Sequence, residues 1–382
     1  MVRGDLRVIE RCWLHIGTGK TGSTSTQNYL AYNRDALLAN GYLFPRAPGA
    51  GNHHALMAYA LDDAIIDSTR KKLGLVGADR LAAFRRNFPA ALRAETARSG
   101  ATDLILSNEM LALHLRTPSA IERLRDLCDG LAAHTKVIVY IRNQVDFLAG
   151  IYMTSVGGGN ARDLDPQWVR GADYAEMLAR WSAVFGRQNM IVRRYERRDF
   201  PGGDVRRDFS AQLGIDADRL VTTSRQRNRS LDAESVAFVR AYNRSVPAAL
   251  AGPLAPLRFA MVAVLERRRG GTRFGISSGL AAKIEDTFRA SNAKVAAEYF
   301  PSLAEPLFSP PRCVDDTGAD KTVRWPTMLG IAFTLPPFGV YLFAARLVRL
   351  AVERWRYRPH SRRPIAATKG TGSDLSSGER AA

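Results

Sequence analysis

The stretch that most constrains this chain is WLHIGTGKTGSTSTQNYL, Trp13 to Leu30. An apolar run gives way to a turn of glycine, lysine and small hydroxyl residues, and a helix-like segment follows. A buried strand that delivers a helix N-terminus makes an anion site, because the first N–H groups of the helix are unpaired and carry partial positive charge. Glycine lets the backbone approach the anion, the hydroxyls add donors, and Lys20 adds a full charge.

A strand buried on both faces needs partners of the same kind, and the next two hundred residues provide them. DLILS, KVIVYI and NMIVRRY are short runs rich in branched residues and read as buried parallel strands. Between them, STSTQNYLAYNRDALLAN, RLAAFRRNFPAALRAETARSG, SAIERLRDLCDGLAAH and YAEMLARWSAVFG read as helices, with another beginning near Gln144. The first is expected to stop near Asn40-Gly41, and Pro89 to break or kink the second. This alternation predicts an α/β fold of three layers, a central parallel sheet flanked by helices. SVAFVRAYNRSV and LAAKIEDTFRASNAKVAAEYF predict later helices, the former capped by Ser230.

The reading divides the chain into an α/β domain over 1–320, a hydrophobic and basic helical appendage over 321–358, and a disordered tail over 359–382. The net charge of +18 calls for anionic partners. From Lys321 onward there are eleven basic and three acidic residues, and within that segment Thr327 to Ala345 has no charged residue. Met328 to Ala345 is near the short limit of a membrane span, with Pro336-Pro337 interrupting it. An anchor, a single span and a helix docked on the domain are the three readings. Contact of 327–358 with the inner, anionic face of a membrane is favoured by the arginines that follow. Three scattered cysteines and an N-terminus without an uninterrupted apolar core suggest a cytoplasmic, reducing location. No aromatic platform or groove-reading motif accompanies the charge, so nucleic acid is not an expected partner.

Which phosphate the first turn holds depends on its spacing. A triphosphatase loop needs G-x-x-x-x-G-K-[ST]. Gly19-Lys20-Thr21 match its end, but Leu14 stands where its first glycine belongs. Lys20-Thr21-Gly22-Ser23-Thr24 places the tight turn after the lysine instead. That pattern resembles the phosphosulfate loop of sulfotransferases that use 3′-phosphoadenosine-5′-phosphosulfate (PAPS), whose fold is like that of the P-loop NTPases. The resemblance covers roughly 11–250. It implies that Lys20, Thr21, Gly22, Ser23, Thr24 and Ser25 hold the 5′-phosphosulfate. It also implies a second anion site at Arg142, which ends the strand KVIVYI. The family carries a serine eight residues further on, where this chain has Gly150; Thr154 or Ser155 could substitute. The basic loop SRQRNRS, with Arg229, is similar to the family's late nucleotide-contacting loop.

Sulfuryl transfer needs in-line alignment, a cation at the leaving oxygen and a base for the acceptor proton; it does not demand a metal ion. Lys20 is the expected cation. Glu109 is the first ionisable group after DLILS, at the sheet edge where open α/β folds place ligands, and is the expected base. His54 and His53 are the alternatives, while His15 reads as a core residue. The expected activity is transfer of sulfate to a hydroxyl, on a carbohydrate or glycolipid. An ATP-dependent small-molecule kinase and a non-catalytic nucleotide- or glycan-binding module are the competing readings.

Overall fold

The structure is a computed structural model and describes residues 9–222, 231–267 and 271–314. Arg229, the 327–358 segment and the 359–382 tail therefore lie outside the described residues.

Five parallel strands form the central sheet: β1 (Ile9–Gly17), β2 (Tyr42–Leu43), β3 (Asp103–Ser107), β4 (Ala132–Ile141) and β5 (Met190–Arg194). Their order is β2-β3-β1-β4-β5. Successive side chains of a strand point to opposite faces, and here both faces are covered. Cys12, Leu14 and Ile16 of β1, Leu104 and Leu106 of β3, and Val137 and Val139 of β4 enter one apolar cluster. Trp13, Ile105, Ile138 and Tyr140 enter the other. This is why the strands read as continuous apolar runs, and the α/β class expected from sequence is the one observed.

The chain moves from β1 outward to β2, returns to β3, then crosses β1 to β4 and on to β5. Connections leaving β1 and β4 thus diverge, which makes the crevice between their C-terminal ends the topological switch point. The helix after β1, α1 (Ser23–Tyr32), packs through Tyr29 and Leu30 into the second cluster. The helix after β4, α2 (Gln144–Gly157), packs through Val145, Phe147 and Leu148 into the first.

Three local expectations are corrected. The first helix does not run to Asn40. It stops at Tyr32 and a second begins at Arg34, because Asn33 turns its side chain to the Tyr29 and Val221 carbonyls and accepts from the Val221 N–H. Pro89 does not break its helix, which continues from Ala78 to Ser99. The cap of the helix Ala233–Ser245 is Asp232, which accepts from the Ser235 N–H, and not Ser230.

Candidate functional site

Three adjacent strands deliver the site. β3, β1 and β4 lie side by side, and their C-terminal ends lead into Glu109, Lys20 and Arg142 respectively. The row is tight at its centre. A Cβ on Gly17 would fall 2.4 Å from the Glu109 carbonyl oxygen, so only glycine lets β1 end this close to the β3 turn.

The loop after β1 is tied down from within. Thr18 donates through both its N–H and its hydroxyl to the Tyr140 carbonyl, each at 3.0 Å. The hydroxyls of Thr21 and Ser23 both donate to the Thr18 carbonyl. Two of the hydroxyls expected on a ligand therefore close the turn instead, while Thr24 is exposed and Ser25 half-buried. Lys20 sits at φ 64°, a left-handed conformation uncommon for a side-chain-bearing residue and recurrent at ligand sites. Gly22, at φ 77°, is the N-cap of α1. A Cβ there would lie 2.9 Å from Val205 and 3.3 Å from the Tyr195 ring.

The N-terminus of α1 is left bare. Gly22 has no side chain to cap it, and the first turn has no acidic residue. Elsewhere in the same chain Asp67, Thr117, Asn143, Asp173, Asp204, Asp232 and Ser277 each cap a helix through a side-chain oxygen. The first N–H groups of α1 thus keep their capacity for an external anion.

Arg142 reaches across the switch point. Its Nη1 donates to the Lys20 carbonyl at 3.0 Å, and its Nη2 to Asp146 at 3.3 Å. Its guanidinium stands 5.5 Å from the centre of the Tyr195 ring. Tyr174 donates to the Arg142 carbonyl at 2.7 Å and fixes that turn. Sequence reading overlooked Tyr195. It flanks both Gly22 and Arg142, and its position as first residue after β5, at the ligand-bearing sheet edge, is the signal that could have found it.

Lys20 extends along α2 and donates to the Thr154 hydroxyl. Its stem passes over Gly150, where a Cβ would lie 3.0 Å from Lys20 Cγ. Gly150 therefore makes room for the lysine, and Thr154 serves the lysine's ammonium. Burial lowers the Lys20 pKa, with nearby Arg142 pushing it down further and Glu109 opposing. Burial raises the Glu109 pKa, opposed by Lys20.

The two histidines separate. His53 is fully buried: its Nδ1 accepts from the Ser107 N–H at 3.1 Å, its Nε2 lies 3.1 Å from the Pro45 carbonyl, and its ring stacks on Phe44. Both nitrogens are engaged, and burial lowers its pKa to about 3. It is a bridge between segments with no nitrogen left for a base. His54 is exposed at the start of the next helix. Burial of part of its ring lowers its pKa, and the charges acting on it are Lys72 and Asp67. His15 is buried, with Nδ1 2.8 Å from the Ser107 hydroxyl. The Asn108 amide donates to the Asn52 side chain and the His53 carbonyl, joining the 52–54 segment to the Glu109 turn.

No family model matches the chain. An uncharacterized protein of Archaeoglobus fulgidus is 29% identical over 169 residues, which is 44% of this chain and 46% of that protein. The chain thus spans about half the length of this curated relative. Among solved structures, a sulfotransferase from Alicyclobacillus acidocaldarius superposes with a TM-score of 0.36 at 18% identity, over 66% of this chain and 95% of that one.

Proposed function

We propose that the chain is a PAPS-dependent sulfotransferase that transfers a sulfuryl group to a hydroxyl of a carbohydrate or glycolipid acceptor. One observation carries the reading. The Arg142 guanidinium donates to the backbone carbonyl of Lys20, 122 residues away in sequence, two residues before the uncapped N-terminus of α1, and the Lys20 ammonium reaches Thr154 on α2, the helix that follows Arg142. Burial, and then the nearby Arg142, work against the charge on Lys20, so the arrangement calls for an anion. The lysine–glycine offset of the loop and the arginine at the end of β4 favour a phosphosulfate nucleotide over magnesium–ATP.

In this reading the α1 N–H groups, Thr24, Ser25 and Lys20 bind the 5′ end, and Arg142 the 3′ end. Tyr195 flanks the crevice between them. Bound donor supplies the sulfuryl group: its sulfur–oxygen bond to the phosphate breaks as a bond to the acceptor oxygen forms. Lys20 faces the charge that grows on the departing oxygen. Glu109 takes the acceptor's proton, and its raised pKa brings its basicity closer to working pH. Arg229 would add to the nucleotide contacts, and 327–358 would place the enzyme at the cytoplasmic face of a membrane.

Calorimetry with adenosine 3′,5′-bisphosphate and with magnesium–ATP, on wild type and Lys20→Ala, tests the assignment. The bisphosphate should bind more tightly than ATP, and Lys20→Ala should weaken it by roughly tenfold to a hundredfold, as expected for loss of a charged contact in a partly buried site. Preference for magnesium–ATP would make the protein a kinase. Bisphosphate binding with no turnover of any acceptor, and no effect of Glu109→Ala, would make it a binding module.

A further inference from the structure

A second surface stands apart from the crevice and does not depend on the sulfotransferase reading. From Val246 to Leu265 the sequence has one charged residue, Arg258. The structure turns that residue inward. Arg258 is 8% exposed and donates through Nε to the Gly157 carbonyl at 3.2 Å. It lies on the inner stripe of a helix, α3 (Ala255–Leu265), with Met261 and Leu265. The outer stripe is Pro256, Phe259, Ala260 and Ala263, all exposed. Phe259 is 56% exposed, and Leu250 on the preceding turn is 47% exposed.

This is the reverse of a solvent-facing helix, whose outer face is polar. The chain provides its own contrast in the helix α4 (Ser278–Tyr299), where Lys283, Asp286, Arg289 and Lys294 face outward. The exposed cation stands just past the end of α3: after Glu266, Arg267 is exposed and continues the outer stripe, and Arg268 and Arg269, outside the described residues, follow in the sequence. An apolar stripe that leads to an exposed arginine matches a bilayer with anionic headgroups, with Phe259 at the acyl boundary and the Arg267 guanidinium at the phosphates. The helix has 11 residues, or about 16 Å against a hydrocarbon core of about 30 Å. No helix among the described residues is long and apolar enough to cross a membrane.

We infer that the outer face of α3, with Leu250 and Arg267, is a landing surface for an anionic lipid bilayer, lying on the membrane plane. The test is co-flotation of the full chain with vesicles of phosphatidylcholine, with and without phosphatidylglycerol. Wild type should float with the anionic vesicles. Leu250→Asp/Phe259→Asp should weaken that binding roughly tenfold or more, since it replaces inserted apolar groups by charge. Arg267→Glu/Arg268→Glu/Arg269→Glu should reduce the dependence on phosphatidylglycerol. Ala263→Asp, a small change on the same stripe, should act in the direction of the Phe259 variant, and all variants should keep the wild-type melting profile. Floating of the Leu250/Phe259 variant equal to wild type would overturn the inference, since 327–358 is intact in it. So would a wild type that fails to float, and so would a variant that alters only self-association in solution, which would make the face a contact between copies of the chain.

Discussion

Glu109 and Lys20 are each held away from their ordinary ionisation by burial, in opposite directions. For the carboxyl, the folded pKa lies above the ordinary 4.5. Its stabilising share is therefore complete below that value and is lost as pH rises through the folded pKa. At neutral pH the ionised Glu109 is a cost that the fold tolerates. Glu109→Gln should raise the melting temperature at neutral pH, with the gain fading on acidification towards 4.5. It should also keep or improve affinity for adenosine 3′,5′-bisphosphate, because a negative charge beside the anion site is removed, while abolishing transfer. Thermal melts across pH and calorimetry on the variant check both halves. A glutamine variant less stable than wild type at every pH would show Glu109 to be a structural acid. The serine that the resembling family carries in place of Gly150 would put its Cβ against the Lys20 stem, so the departure reads as packing for the lysine and not as a missing ligand.

Elements show what the sequence could and could not convey. β1, β3 and β4 were legible because burial on both faces leaves a continuous apolar run, and β5 because its short apolar start, Met190 to Val192, opens a strand whose buried residues alternate. β2 was not: two residues, Tyr42 and Leu43, carry no period. The break at Asn33 was not legible either, since its partner Val221 lies 188 residues away. In the site, Lys20, Gly22 and Arg142 announced themselves through local spacing, whereas Tyr195 joins them only through the fold, and Thr154, visible by its spacing, shows its partner Lys20 only there. His53 was visible as a residue but its job was not, because the Ser107 N–H and Pro45 carbonyl that engage it come from separate segments. That job has a measurable consequence. The ordinary histidine pKa of 6.5 falls to about 3 for His53 and to about 4 for His15. A lowered histidine pKa gives stability that is complete above the unfolded value and is lost as pH falls towards the folded one. The protein should therefore lose stability progressively from pH 6.5 downward. His53→Gln should be less stable than wild type at neutral pH by about 2 kcal/mol, the cost of a disturbed buried hydrogen-bonded bridge, but should show a shallower acid decline. Chemical denaturation at several pH values measures both, and an unchanged acid slope would remove His53 from the account.

Across the whole molecule the net charge is +18, of which the crevice itself holds only a few cations. The two act over different distances. Lys20 and Arg142 are half-buried, and in the proposed complex they contact the nucleotide directly, so solvent ions would screen them weakly. The remaining excess charge acts through water, where the screening length falls from about 30 Å at 0.01 M salt to about 10 Å at 0.1 M. If the far charge steers a multiply anionic nucleotide toward the crevice, salt should slow arrival and leave departure nearly alone. Stopped-flow binding of adenosine 3′,5′-bisphosphate over that range should show the association rate falling by roughly threefold to tenfold, with the dissociation rate changing by less than about twofold. Lys20→Ala should show the complementary pattern: faster dissociation, and an association rate with the same salt dependence as wild type. A salt effect confined to dissociation would place the sensitive charges inside the site and remove steering by the far charge from the account.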